Sequence, residues 1–367
     1  MPKIKVLIVD DSVSARQAFS RLLLEDDGIA IMGTAGDPFE AAAKMRAELP
    51  DVILLDLELP RMDGLTFLAK IMAQHPVPVV ICSSHTEAGS QSAMKALEIG
   101  AAEVIAKPRL STVQERQEAQ MLLCDAVRAA AQVRGPAKSR MATRTKPAPI
   151  SPGPKFTADE ILPPPGKSRV YPPNLMSLVV IGASTGGTEA LASVLMRLPA
   201  DGPPVVIVQH MPERFTAAFA RRLDQSCAVK VVEAADGDKP RPGVVYIAPG
   251  NHHTVLRRQG SGYSISIVDG PYVARHRPSV DVLFRSAAVA AGPAALGIIM
   301  TGMGDDGARG LLEMRTAGAE TLAQDQTSSV VWGMPGEAVR LGGAQRQVPL
   351  DKLPSEIARF ASRVRPA

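Results

Sequence analysis

Cysteine is scarce here. Cys82, Cys124 and Cys227 are the three in 367 residues. An odd, scattered set with no metal-ligand spacing excludes a disulfide framework and points to a reducing cytoplasm. Long hydrophobic runs are missing too. No stretch approaches the roughly 20 apolar residues of a membrane span, and the chain enters a strand by Ile4, which leaves no room for a signal peptide. No membrane insertion is expected. A net positive charge, although the whole chain carries +4, is missing from the parts that fold. Residues 135–173 carry seven basic side chains against Asp159 and Glu160, an excess larger than that of the whole chain. A response regulator with a DNA-binding output is a rival reading, against which stand the near-neutral folded parts and the lack of a basic pair of helices at the C-terminal end, so no nucleic-acid partner is expected.

What remains is a chain long enough for two cores, since single cores stop growing at about 250–300 residues. Residues 1–134 form the first. The strand Lys3 to Val9 runs into Asp10-Asp11-Ser12, and strands and helices then alternate to a fifth strand, Ala102 to Ala106. Helices of about ten residues between five strands predict a doubly wound, flavodoxin-like parallel sheet with its site at the carboxyl ends. The polar residues fall at those ends: Asp10 and Asp11 after the first strand, Asp56 at the third, Ser83 and Ser84 at the fourth, Lys107 at the fifth. Three converging carboxylates repel one another unless a hard divalent cation sits among them, and such a site suits Mg²⁺. A carboxylate beside Mg²⁺ and an ammonium is a competent phosphoryl acceptor.

These residues give the first domain a resemblance to the receiver domain of two-component response regulators. Asp10 and Asp11 match its acidic pair, Asp56 its phosphoacceptor, Leu59-Pro60-x-Met62-Asp63-Gly64 the following loop, Ser83 the hydroxyl switch and Lys107-Pro108 the last motif. The resemblance implies a sensor histidine kinase as phosphodonor, the Glu58 carbonyl as a further metal ligand, and a cis bond before Pro108. It departs at Val104, where receivers usually carry an aromatic switch residue.

Residues 135–173 hold ten of the chain's 31 prolines and read as a mobile, semi-extended basic tether. From 174 to 367 a second α/β pattern begins. The apolar run Met176 to Ile181 leads into Gly182-Ala183-Ser184-Thr185-Gly186-Gly187, and a helical stretch follows from Thr188 to Leu198. Strand, glycine turn and helix are the context of a nucleophile elbow, with the amide after the nucleophile, Thr185, as an oxyanion donor. No Lys follows the glycines, which excludes a Walker-type phosphate loop. A second buried strand, Pro204 to Gln209, ends at His210, and a third, Ala295 to Met300, runs into a loop carrying Asp305 and Asp306. Parallel strands put hydroxyl, imidazole and carboxylate on one edge, the nucleophile, base and orienter of acyl transfer. Spacing leaves Asp305 and Asp306 as alternatives, and His252, His253 and His276 remain candidates for substrate contact. Val244 to Ala248, Thr254 to Arg258 and Tyr263 to Val268 read as antiparallel pieces, the last two a hairpin.

Residues 177 to 340 closely resemble the catalytic domain of chemotaxis-specific protein-glutamate methylesterases. The shared motifs are Gly182 to Gly187, Gln209-His210-Met211-Pro212, Ala248-Pro249-Gly250-Asn251, Arg277-Pro278-Ser279-Val280-Asp281 and Thr301-Gly302-Met303-Gly304-x-Asp306-Gly307. By position the family's triad falls on Ser184, His210 and Asp306, with the Met303 amide in the oxyanion hole. The resemblance implies hydrolysis of glutamate methyl esters, and deamidation of glutamines, on methyl-accepting chemotaxis receptors, with no cofactor in the esterase site. A receiver-gated docking module with an inactive esterase fold is the rival reading, and the intact Ser184, His210 and Asp306 speak against it.

Overall fold

The structure, a computed structural model, describes residues 2–84, 86–108, 110–133, 156–166 and 170–364. It divides into two compact units, Met1–Lys155 and Phe156–Ala367. In the first, β1 (Ile4–Val9), α1 (Val13–Leu24), β2 (Ile29–Ala35), α2 (Pro38–Ala47), β3 (Val52–Asp56), α3 (Gly64–Gln74), β4 (Val79–Ser83), α4 (Glu87–Ile99), β5 (Glu103–Ala106) and α5 (Val113–Ala130) alternate as expected. The helices start where polar caps stand: Ser12, Asp37, Asp63, Thr86 and Thr112 each accept a backbone N–H of the first turn. Thr112 and Glu115 close a full capping box. The sheet is parallel with order β2-β1-β3-β4-β5, so the chain reverses direction between β1 and β3 and opens a crevice at their carboxyl ends. β3 and β4 are buried throughout, which is why they read as unbroken apolar runs.

The second unit comprises β6 (Leu178–Ala183), α6 (Gly187–Leu195), β7 (Val205–Gln209), α7 (Phe215–Ser226), β8 (Lys230–Glu233), β9 (Val244–Ile247), β10 (His253–Gln259), β11 (Gly262–Val268), α8 (Val280–Ala290), β12 (Ala295–Ile299), α9 (Ala308–Thr316), β13 (Glu320–Gln324), α10 (Met334–Arg340), β14 (Arg346–Val348) and α11 (Leu353–Val364). Seven strands form one sheet in the order β14-β13-β12-β6-β7-β9-β8, every neighbouring pair parallel. β10 and β11 make the expected antiparallel hairpin outside it. The main core packs α8 and α9 against this sheet through Phe284, Leu283, Leu311 and Met314.

Three expectations are corrected. β9 is not antiparallel: it lies between β7 and β8 and pairs parallel to both. All four of its residues are buried, the signature of a strand covered on both faces. β14 adds a parallel edge strand beside β13, and α11 packs against α6. The cis peptide found among the described residues is Arg277–Pro278, and the bond before Pro108 is trans, the lower-energy form of an X–Pro bond. Finally, the end of the presumed tether belongs to the second unit. Ala158 is buried in a small cluster with Val255, Val273, Ala274 and Val282, and Phe156 bridges Val273. The tether's stretches 135–155 and 167–169 lie outside the described residues.

Candidate active sites

In the first unit, the residues expected at the strand ends do come together. Asp10, Asp11 and Asp56 each offer a carboxylate oxygen within 4.8 Å of the others'. Lys107 Nζ donates to Asp56 Oδ2 at 2.6 Å and stands 3.0 Å from Asp10 Oδ2. That Asp10 oxygen is buried and accepts no well-aligned hydrogen bond. Burial holds the Asp56 carboxyl above its ordinary range, only partly offset by Lys107. Three carboxylates whose oxygens converge, one of them a buried Asp10 oxygen balanced only by an ion pair to Lys107, form a hard-oxygen set that fits a divalent cation of the Mg²⁺ type. Glu58 is the next residue round the rim, and its amide donates to Asp56 Oδ1 at 3.2 Å. Ser83 is buried at the end of β4, where its hydroxyl donates to the Gly89 carbonyl. Val104 is buried in β5, so no aromatic ring stands there to flip.

In the second unit the edge where β12, β6 and β7 adjoin carries the other set. The chain runs outward from β6 to β7 and returns on its other side as β12, so this is the sheet's switch point. Ser184 follows β6, its amide donating to the Thr301 carbonyl at the end of β12. His210 follows β7, its amide donating to Ala183 O. Gln209 ties the two ends together: its side-chain amide donates to the carbonyls of Ser184 and His210. Two glycines make this approach possible. A Cβ on Gly302 would stand 2.7 Å from Ser184 Cβ, and Gly186 turns with φ +75° before α6.

Asp306, not Asp305, meets the imidazole. His210 Nε2–H donates to Asp306 Oδ2 at 2.8 Å, and Asp306 is fully buried. Three more donors converge on it from the start of α8. The Ser279 hydroxyl and the Asp281 amide donate to Oδ1 at 2.8 and 2.9 Å, and the Val280 amide to Oδ2 at 2.8 Å. Burial alone would raise the Asp306 pKa. The His210 hydrogen bond, then the charges of His210 and His276, and last the Asp281 amide more than reverse this and bring it to about 2. Asp281 next to it goes the other way, pushed up to about 8 by burial and by the Asp306 charge.

The opposite ring nitrogen, His210 Nδ1, is buried and has no hydrogen-bond partner, so the Ser184–His210 bond is not made in this state. Thr185 is buried next to Ser184 in the turn, and Met303 is half-buried in the loop beyond Gly302. The remaining histidines separate. His253 cannot contact substrate, because it is fully buried and bonded at both nitrogens, to Pro271 O and the Ser279 amide. His252 pairs with Asp269 at the surface. His276 instead stacks on His210, with centroids 3.6 Å apart and planes 6° from parallel. The supporting role of Ser279 to Asp281, and the stacking role of His276, carry no signal in a single sequence beyond the motif they sit in.

Two α/β units, one with an acid-and-lysine cluster of receiver type and one with a Ser-His-Asp cluster at a sheet switch point, define a receiver-linked hydrolase class. The profile of the response regulator receiver domain matches residues 6–116, and that of the CheB methylesterase residues 179–357. The "protein-glutamate methylesterase/protein-glutamine glutaminase of group 3 operon" of Cereibacter sphaeroides is 58% identical, over 99% of this chain and 96% of its own length. A relative named "protein-glutamate methylesterase/protein-glutamine glutaminase 2" in Rhodospirillum rubrum is 57% identical over 98% of this chain and 99% of its own. The crystal structure of the Thermotoga maritima CheB methylesterase catalytic domain is 35% identical and covers 50% of this chain and 98% of that one, with a TM-score of 0.49. The chain belongs to the CheB methylesterase family, with a receiver domain ahead of the catalytic domain.

Proposed function

We propose that this protein is a phosphorylation-activated esterase. It hydrolyses the γ-methyl esters of glutamates on methyl-accepting chemotaxis receptors, and deamidates receptor glutamines, in the cytoplasm. The observation that carries this reading is His210. Its Nε2–H is held by a carboxylate that accepts four donors, and its buried Nδ1 has no hydrogen-bond partner, on the same sheet edge that carries Ser184.

The chemistry follows from that polarity. The Ser184 hydroxyl rotates towards Nδ1 and attacks the ester carbonyl, and Nδ1 takes its proton. The C=O oxygen becomes an oxyanion and accepts from the amides of Thr185 and Met303. The imidazolium, stabilised at Nε2–H by Asp306, then gives the Nδ1 proton to the departing methoxide, and methanol leaves. Water deprotonated by the same nitrogen opens the acyl-serine and releases the glutamate carboxylate. With a glutamine substrate ammonia is the leaving group, and the steps are otherwise the same.

In the receiver domain, Asp56 accepts a phosphoryl group from a chemotaxis sensor histidine kinase. Asp10, Asp11, Asp56 and the Glu58 carbonyl would hold Mg²⁺, which when bound neutralises charge on the transferred group. Lys107, already on Asp56 Oδ2, and the Ser83 hydroxyl are the groups that reorganise around the new charge.

The test is methanol release from a methylated receptor. Ser184→Ala is expected to fold normally and to lose at least ~10³-fold in turnover, with His210→Ala about as severe. A Ser184→Ala protein that releases methanol at a comparable rate sinks the assignment.

A further inference from the structure

His276 has no part in the triad, yet its ring lies flat against the His210 ring, with centroids 3.6 Å apart. We infer that His276 is a positioning residue: its ring is a shelf that holds the His210 imidazole in the plane needed to face both Asp306 and Ser184. The inference rests on the reading of Ser184 as nucleophile and His210 as base.

Several independent features converge on it. The His276 ring is anchored by its Nδ1–H, which donates to the Ala274 carbonyl at 2.9 Å and stands 3.9 Å from Asp306 Oδ2. That bond fixes the tautomer, because a carbonyl oxygen can only accept. The backbone that delivers the ring is held in an uncommon conformation. Ala274 and Arg275 both have left-handed φ, 48° and 71°, which non-glycine residues adopt at a cost and keep only when the surroundings impose it. Val273 and His276 then bond to each other across this tight turn through both backbone pairs. The turn is braced from outside by the Phe156 carbonyl, which accepts the Ala274 amide at 2.9 Å.

Chelation is the rival use of this cluster, since one ligand atom from each of His210, His276 and Asp306 lies within 4.8 Å of the others. Parallel rings 3.6 Å apart direct their in-plane lone pairs along separate planes, and a single ion cannot lie in both. Stacking is the arrangement the geometry serves. A base must be held to well under 1 Å to work, and an unpacked imidazole would be free to rotate off Asp306. The stacked ring also presents a π face to the positive charge that His210 acquires during the reaction.

Two substitutions separate the ring from its nitrogens. His276→Phe keeps an aromatic face and loses the bond to Ala274. His276→Asn keeps a donor in the Nδ1 position and loses the face. The measurement is the second-order rate constant for modification of Ser184 by a small fluorophosphonate in the full-length protein, from pH 5 to 9. This readout needs no receptor substrate. The titratable groups facing the ring are His210 and Asp306, with Arg275 adjacent in the chain. His276→Asn is expected to be slower by about 10-fold or more. His276→Phe is expected to recover most of that loss, with the acid limb of the profile still present because His210 remains the base. An Asn variant within about 2-fold of wild type, or a Phe variant as slow as Asn while melting at the wild-type temperature, overturns the inference. So does a Phe variant that has lost the acid limb, which would make His276 itself the base. A wild-type chain whose Ser184 the probe leaves unmodified overturns the nucleophile assignment first and this inference with it.

Discussion

Asp306 acts through what surrounds it. Four hydrogen bonds, one to the base and three from the start of α8, let a fully buried carboxylate keep its charge at neutral pH. Asp306→Asn is therefore expected to cost at least ~10²-fold in turnover, because an amide can hold the wrong imidazole tautomer. Asp305→Asn is expected to remain close to wild type, and the reverse order in a methanol-release assay would overturn the choice between them. Ser279→Ala, which removes one charge-assisted bond to Oδ1, is expected to slow turnover by about 10-fold. A second residue-scale expectation concerns pH. Burial, and then the nearby His210 charge, lower the His276 pKa to about 3. An unfolded histidine takes up a proton near pH 6.5, whereas folded His276 does not until about 3. Stability is thus fully present above 6.5 and lost as pH falls towards 3. The urea midpoint of wild type should drop between pH 7 and 5 more steeply than that of His276→Phe, and parallel curves would contradict the assigned environment.

At the scale of elements, the strand–turn–helix units were legible because their signals are local. The glycine turn at 182–187, the caps at Ser12, Asp37 and Thr112, and the apolar runs of β3 and β12 each state their element within a few residues. The strand ends in turn put Ser184, His210 and Asp306 on one edge. What stayed hidden depends on partners distant in sequence. β9 looks like one leg of a hairpin until β7 and β8 close on both its sides. The stretch from Phe156 looks like tether because it is rich in proline and polar residues. Its docking rests on Arg285, whose guanidinium reaches Asp159 Oδ1 at 2.5 Å and the Leu162 carbonyl while also gripping Glu313. The prediction at this scale is a comparison of two fragments. One that begins at Phe156 is expected to melt higher than one that begins at Tyr171. Losing roughly 1 kcal/mol of such contacts shifts a domain of this size by about 2–4 °C. Equal melting temperatures would show that this segment contributes nothing.

For the molecule as a whole, the expectation is a link between two chemistries in one chain, a phosphoryl acceptor at Asp56 and an acyl acceptor at Ser184. The link needs only a modest bias, since a shift of ~2.7 kcal/mol in a two-state equilibrium changes a minor active population about 100-fold. The most direct measurement is methanol release from methylated receptors by the full-length protein, with and without a small phosphodonor and Mg²⁺, alongside Asp56→Ala and Ser184→Ala. The account predicts release by wild type that rises with phosphodonor, no such rise in Asp56→Ala, and negligible release by Ser184→Ala under either condition. Release that ignores the phosphodonor, or that still responds to it without Asp56, would contradict the account.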